Sequence, residues 1–297
     1  MNRKRVFKRE VSWILFFLPA LAVYSIVVII PTISTFALSF TDYNGLSTDF
    51  SFLGLSNYIS VFQNESALSS IFNSLIYGIT VPVLVTLLAI PLALVLNSRI
   101  KSKNILRAVF FFPSVISTLF LGYIWKFILS SSSTGLINSI RVNAGSEPLL
   151  LLADPKYAML FLILITVWSS TGWHACIYIA NLQTISHDYY EAATLDGASG
   201  WQKFRYITLP MLAPSMTSSV LLLLTGSLKA YDLPYALTGG GPGSSTTMIT
   251  QTIIEEGVTA NRVGYASAMS FLFLIVIAVI TVSLTRYMNM REKRLYE

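Results

Sequence analysis

Six long apolar stretches, separated by short polar segments, constrain this chain more than any other feature of its sequence. A helix needs about 20 consecutive apolar residues to cross the hydrocarbon core of a bilayer, and the stretches reach or approach that length. Lys, Arg, Asp and Glu make up only 11% of the 297 residues, whereas a soluble domain carries roughly 25%. The sequence therefore predicts an all-α membrane protein with six transmembrane helices.

The ends of the apolar stretches place the predicted spans at about residues 11–40, 72–96, 108–129, 157–182, 214–231 and 264–287. The transmembrane domain would then cover residues 11–287, with short tails at 1–10 and 288–297. The first stretch exceeds the about 7–15 apolar residues of a signal peptide, so we expect an uncleaved span. Pro82 and Pro91 fall inside the second span, which predicts kinks and a bundle whose neighbouring helices satisfy the freed carbonyls.

Positive charge is distributed unevenly over the polar segments between these spans. If the N-terminus lies in the cytoplasm, fifteen of the 20 Lys and Arg residues fall in inside segments and five in outside segments. Lys and Arg accumulate on the cytoplasmic side of membrane proteins. We therefore expect a multi-pass protein of the plasma or inner membrane with both termini in the cytoplasm. The net charge of +6 belongs to these loops and does not predict nucleic-acid binding.

The polar segment 183–213, between the predicted fourth and fifth spans, has the pattern of two short helices. Residues 191–193 (Glu-Ala-Ala) favour a helix, and Gly197 can adopt the positive φ that ends one. A second helix is predicted to stop at Pro210, and apolar residues at helical spacing give it one apolar face: Trp201, Phe204 and Ile207. The charge bias places this helix pair in the cytoplasm, where another protein can bind it.

The sequence contains no pattern for catalysis, for a nucleotide or for a metal ion. The Gly-rich segment 239–243 lacks the following lysine of a phosphate-binding loop, we expect no helix after it that presents Ser or Thr to magnesium, and it lies on the predicted outer side. Cys176 is the single cysteine, and the two histidines, His174 and His187, form no metal-ligating or catalytic cluster. We therefore expect no catalytic residue, no metal and no cofactor on this chain.

Several separate patterns, in one order along the chain, resemble a known transporter family. The pattern Glu-Ala-Ala-x3-Gly-x9-Ile-x-Leu-Pro is complete, and Asp196 adjoins its glycine; the matching residues are Glu191, Ala192, Ala193, Gly197, Ile207, Leu209 and Pro210. Segments 232–243 (DLPYALTGGGPG) and 264–268 (GYASA) follow. Together they resemble the permease subunits of bacterial ABC importers of carbohydrates. The resemblance implies the type I importer permease fold in its simple six-span form.

This resemblance also implies the partners and the mechanism. A second, homologous permease would share the pathway, and an extracytoplasmic binding protein would deliver the sugar. A dimer of ATP-binding cassette subunits would bind ATP and magnesium in the cytoplasm and hydrolyse the ATP. Segment 183–213 would be the coupling helix pair that fits a cleft of the ATPase, with Glu191 meeting a basic group and Gly197 allowing the bend.

Polar and aromatic residues inside the spans predict the substrate pathway, because such residues are costly in lipid and tend to face cavities or partners. The candidates lie in the third, fourth and fifth spans: Tyr123, Trp168, Trp173, His174, Tyr231 and Asp232. Aromatic faces pack against sugar rings, and polar groups form hydrogen bonds with sugar hydroxyls. The alternative is that the aromatic residues anchor the spans at the membrane interface and the small polar residues pack helices together.

Two other protein classes remain open at this stage. An ion-coupled secondary transporter would have internal repeats and acidic residues near the middle of its spans. A membrane enzyme would have His, Asp or Glu side chains clustered at one membrane face. The spans contain almost no acidic residues, which disfavours the secondary transporter, and the whole chain contains two histidines, which disfavours the membrane enzyme.

Overall fold

The protein is described by a computed structural model that covers residues 16–98 and 100–296. Within these residues the regular secondary structure is helical, apart from an isolated antiparallel bridge between Thr41 and Phe52. The helices are α1 (Phe16–Leu38), α2 (Ser56–Gln63), α3 (Glu65–Asn97), α4 (Lys103–Val115), α5 (Thr118–Leu129), α6 (Leu136–Asn143), α7 (Pro155–Leu182), α8 (His187–Leu195), α9 (Gly200–Met211), α10 (Ala213–Leu228), α11 (Asp232–Thr238), α12 (Ile249–Ile254, continued by a π-helical turn) and α13 (Val263–Tyr296).

Four of these helices, α1, α3, α7 and α13, are long and apolar enough to cross a bilayer. Two further spans are possible if each consists of a bent pair of helices: α4 with α5, and α9 with α10. The all-α membrane class is therefore confirmed, with four to six candidate spans in the described part of the chain. The predicted residues 11–15 of the first span lie outside the described residues.

The predicted span over residues 108–129 corresponds to two helices with a sharp bend between them. Helix α4 ends at Val115 and α5 begins at Thr118, and the two enclose an angle of 94°. The bend arises because Ile116 and Ser117 adopt extended backbone, with ψ values of 132° and 133°. The apolar sequence continues through this break, so hydrophobicity alone does not reveal it.

The second loop helix was predicted to stop at Pro210, and it ends one residue later, at Met211. Helix α9 contains a π-helical turn, in which the Leu209 amide donates to the Phe204 carbonyl. Pro210 stands at the start of the α-helical turn that follows, a position where its missing N–H is tolerated. The helix therefore continues to Met211 and then bends by 64° into α10.

The chain divides into two compact units, and the first consists of the described part of Met1–Asn64 together with Ile253–Leu272. Its loop after α1 is held by the Asn57 side-chain amide, which donates to the Ser39 carbonyl at 2.9 Å and the Thr41 carbonyl at 2.8 Å. Gly264 lies so close to the Thr41 carbonyl that a Cβ atom would overlap it. Helix α1 has no buried side chain among its described residues, so its apolar surface is available to lipid or to another chain.

The second unit, Glu65–Thr252 with Phe273–Glu297, contains the main helix bundle. Helix α3 packs against α7 and α10, α4 crosses α7, and α5 packs against α11. Small residues allow the closest crossings: a Cβ at Gly172 would overlap the Phe110 carbonyl oxygen, and one at Gly122 would overlap the Ala236 side chain. This packing brings parts of α3, α5, α7, α10 and α11 around one cavity.

Candidate functional site

Helix α8 ends at Leu195 in a turn that depends on glycine. Gly197 has a φ of 77°, a conformation in which other L-residues are strained. The Ala198 amide donates to the Ala193 carbonyl at 2.8 Å, and the Gly197 amide donates to the Thr194 carbonyl at 3.1 Å. These two bonds form the Schellman arrangement that ends many helices. The sequence-predicted break between the two loop helices therefore lies at the expected glycine.

Side-chain hydrogen bonds hold α8 and α9 together as one helix pair. Ser199 caps the N-terminus of α9: its hydroxyl accepts a hydrogen bond from the Gln202 amide, and the Gln202 side chain accepts one from the Ser199 amide. The Lys203 ammonium donates to the Thr194 hydroxyl at 2.7 Å, and the hydroxyls of Tyr190 and Thr208 lie 3.0 Å apart. The loop between α7 and α10 is thus an ordered element with a defined surface.

The predicted coupling residues fall into two groups by exposure. Those of α8 and the turn after it are mostly exposed, and those of α9 are half-buried. The exposed residues are Glu191, Ala192, Asp196 and Gly197; the half-buried residues are Ala193, Ile207, Leu209 and Pro210. The first group can therefore contact a partner directly, whereas the side chains of the second group pack within the chain.

Large apolar side chains are exposed on the same helix pair. Leu195 is 90% exposed, Tyr206 75% and Trp201 70%. Trp201 was predicted on the apolar face of α9; it is exposed there, whereas Phe204 packs against the core. These side chains are accessible to a partner protein. Leu195 and Tyr206 were missed because they stand outside the pattern on which the resemblance rests.

A cavity of about 500 Å³ lies in the second unit, beside α7 and α10. Four of the six predicted pathway residues line it: Trp173, His174, Tyr231 and Asp232. Further polar residues of the lining are Tyr77, Thr118, Thr166, Ser169, Ser170, Ser227 and Lys229. The cavity thus combines aromatic rings, hydroxyls, one ammonium and one carboxylate, groups that together suit an uncharged polyhydroxylated molecule.

Hydrogen bonds fix several groups of this lining in place. The hydroxyls of Tyr77 and Thr166 lie 2.6 Å apart, which joins α3 to α7. The Thr118 hydroxyl donates to an Asp232 carboxylate oxygen at 3.3 Å and joins α5 to the start of α11. Tyr77 and Thr118 were missed, although Tyr77 meets the criterion of a polar aromatic residue inside a span.

The His174 ring is anchored from behind the cavity. Its Nδ1 lies 2.7 Å from the Ser219 hydroxyl, which also accepts a hydrogen bond from the Tyr178 hydroxyl at 3.0 Å. The Trp173 ring stands edge-on to the imidazole, with 4.6 Å between centroids. Both rings therefore have restricted orientations, which is a requirement for specific recognition of a ligand.

The two remaining pathway candidates lie elsewhere. Trp168 packs edge-on against Trp125, with ring centroids 5.6 Å apart, and it does not line the cavity. Tyr123 is 50% exposed and does not line it either. The structure therefore places these two residues outside this cavity, Trp168 in a packing contact and Tyr123 at an exposed position.

Residues 85–295 match a known protein family, the binding-protein-dependent transport system inner membrane components. The chain belongs to this family. The matched region contains the whole helix pair α8–α9 and every lining residue of the cavity except Tyr77. The permease is therefore a multi-pass inner-membrane transport component, and the ion-coupled alternative falls away.

Curated relatives of the permease align over nearly its full length. A probable starch degradation products transport permease of Thermoanaerobacterium thermosulfurigenes is 31% identical over 95% of both chains. A trehalose/maltose transport permease of Thermococcus litoralis is 32% identical over 90% of both. An arabinooligosaccharides transport permease of Bacillus subtilis is 30% identical over 94% of this chain and 89% of the relative.

Solved structures confirm the fold. A bacterial ABC transporter that imports the acidic polysaccharide alginate contains a chain with a TM-score of 0.77 and 24% identity, covering 99% of this chain and 100% of that one. A bacterial alginate ABC transporter in complex with an alginate-pentasaccharide-bound periplasmic protein contains a chain with a TM-score of 0.78 at 22% identity. The permease therefore has the fold of an ABC importer permease, as its motifs predicted.

Proposed function

We propose that this permease forms one half of the membrane pathway of an ATP-driven importer whose cargo is a sugar, with an oligosaccharide favoured. The observation that carries the proposal is the 500 Å³ cavity in which an aromatic ring, several hydroxyls and the Asp232 carboxylate converge. Aromatic rings and hydrogen-bonding groups are what a sugar-binding site requires. The names of the curated relatives, which concern starch products, trehalose and maltose, and arabinooligosaccharides, support the same cargo class.

The helix pair α8–α9 is the proposed docking element for a cytoplasmic ATPase. Its exposed apolar residues and Glu191 offer a surface for a partner, and its internal hydrogen bonds allow it to transmit force. ATP and magnesium would bind on the ATPase dimer, and this chain would carry neither. A second permease and an extracytoplasmic binding protein would complete the transporter; a periplasmic binding protein accompanies the solved alginate transporter.

The connectivity of the chain links this docking element to the cavity. Helix α7 leads into the pair and α10 leads out of it, and both helices line the cavity. A displacement of the pair would therefore move two walls of the cavity. Closure of the ATPase dimer on ATP would bring the docking elements of two permeases together. The pathway would then change from a state that opens to the cytoplasm to a state that opens to the outside. A ligand shifts such an equilibrium only through contacts that differ between the two states.

The test is ATP-dependent sugar uptake by the reconstituted transporter with Glu191→Lys. We expect uptake and co-purification of the ATPase to be lost, because the reversed charge faces the proposed basic group, while membrane insertion stays normal. Glu292→Lys is the matched control, since it reverses an acid near the end of α13, outside the helix pair. Full uptake by Glu191→Lys, or uptake that needs an ion gradient instead of ATP, would refute the proposal.

A further inference from the structure

A separate cavity of about 270 Å³ lies between the α9–α10 bend and the C-terminal part of α13. It shares no lining residue with the proposed sugar cavity. Its lining consists of Arg205, Leu209, Pro210, Ala213, Met216, Thr217, Val220, Leu284, Tyr287, Met288 and Arg291. We call it the arginine groove.

The arginine groove is charged at one end and apolar at the other. On α13, Arg291 follows Leu284 by seven residues, or about 10 Å at the rise of an α-helix. On the facing wall, Arg205 lies near the middle of α9, whereas Val220 lies two turns inside α10. Tyr287 stands between the two ends on α13. An amphiphile, with a charged head and an apolar tail, fits this gradient along its length.

The charged end favours an anion. The lining contains two arginines and no acidic residue. Among the described side chains, those of residues 16–98 and 100–292, neither Arg205 nor Arg291 has an ion-pair partner. A guanidinium group binds phosphate oxygens through two parallel hydrogen bonds, and the Tyr287 hydroxyl can add a third donor. A phosphate is therefore the head group that this end is best suited to hold.

The position of the groove favours a lipid over a soluble phosphate or a protein segment. Arg205 belongs to the loop, and Arg291 to the last helix, that the charge bias places on the cytoplasmic side. That leaflet contains anionic lipids, and basic pockets between spans bind their head groups. The apolar wall formed by Met216, Val220 and Leu284 would have no role in binding a soluble phosphate.

We propose that the arginine groove binds one anionic phospholipid, with its phosphate between Arg205 and Arg291 and one acyl chain along the apolar wall. The lipid would connect α9, part of the helix pair that we assign to ATPase docking, with the end of the last span. This binding does not depend on the cargo or on the ATPase, so it can be tested independently of the proposed function.

The experiment is native mass spectrometry of the transporter, purified through a tag on the full chain and reconstituted in discs that contain phosphatidylglycerol and phosphatidylcholine. We expect one retained phosphatidylglycerol per permease, and Arg291→Gln to lower its retention about fivefold, the effect of one basic residue near an anionic membrane surface. Arg286→Gln is the matched control, because it removes the same charge from an exposed position of the same helix outside the groove.

A second variant tests the apolar end without a change of charge. Val220→Trp should fill the apolar end of the groove and displace the lipid. If Val220→Trp does not purify as a monodisperse protein, Thr217→Trp is used in place of that variant. Equal retention in wild type and Arg291→Gln would overturn the proposal. So would an equal loss in Arg286→Gln, displacement by excess inorganic phosphate, or loss of the lipid whenever the ATPase is bound, which would show that a protein covers the groove.

Discussion

Trp168 and Trp173 are alike in type and lie on the same helix, yet they have different surroundings. Five residues correspond to about 140° around an α-helix, so the two rings point to different sides of α7. Trp173 lines the sugar cavity, and Trp168 packs against Trp125. A criterion based on residue type selects both residues, and only the orientation of the helix separates them.

We expect Trp173→Ala to raise the KM of sugar uptake about tenfold. Truncation of an aromatic side chain at the centre of a binding site commonly costs more than 1 kcal/mol of binding free energy. The measurement is the concentration dependence of ATP-driven uptake at matched expression, with Trp168→Ala as the control. An unchanged KM for Trp173→Ala, or the same rise for both variants, would show that Trp173 does not contact the cargo.

At the scale of helices, the long apolar stretches were predictable and their bends were not. Periodicity and length locate α3, α7 and α13 to within a few turns, because lipid requires a minimum number of apolar residues. The break at Ile116 and the continuation through Pro210 depend on local backbone geometry that hydrophobicity does not encode. The cavity joins Thr118 to Asp232, 114 residues apart, a contact that only tertiary packing defines.

The crossing of α4 and α7 is the helix contact most sensitive to an added methyl group. Gly172→Ala would place a Cβ on the Phe110 carbonyl oxygen, which belongs to the backbone and cannot rotate away. We expect a loss of about 1–3 kcal/mol of unfolding free energy, as for other overpacked sites. Thermal unfolding in detergent measures this effect.

Gly226→Ala is the control for that measurement, because a Cβ at Gly226 would have no atom within 4 Å. This substitution should be neutral or raise stability by up to about 1 kcal/mol through helix propensity. A similar fall in melting temperature for both variants would mean that the α4–α7 crossing is looser than the structure shows.

At the scale of the whole molecule, the distribution of charge predicts the orientation in the membrane. Segment 41–69 contains no Lys or Arg, and the loop 183–213 contains Lys203 and Arg205. The proposed function requires this orientation, since an ATPase in the cytoplasm can dock only on a loop that lies there. The Leu46 side chain (78% exposed) and the Leu195 side chain (90% exposed) offer one accessible test position in each segment.

We therefore expect Leu46→Cys and Leu195→Cys, each in a Cys176→Ser background, to react from opposite sides of the membrane. Cys176 is the single native cysteine, and its thiol is only half-buried. It must be replaced because the maleimide could otherwise label it as well as the introduced cysteine. A membrane-impermeant maleimide should label Leu46→Cys in intact spheroplasts, and it should label Leu195→Cys only in inverted vesicles prepared without the ATPase subunits, which would cover this position. Sugar uptake by the complete transporter with the background variant is the control. Labelling in the reverse pattern would show that the orientation is opposite to the predicted one. The helix pair α8–α9 would then lie outside the cytoplasm and could not meet a cytoplasmic ATPase.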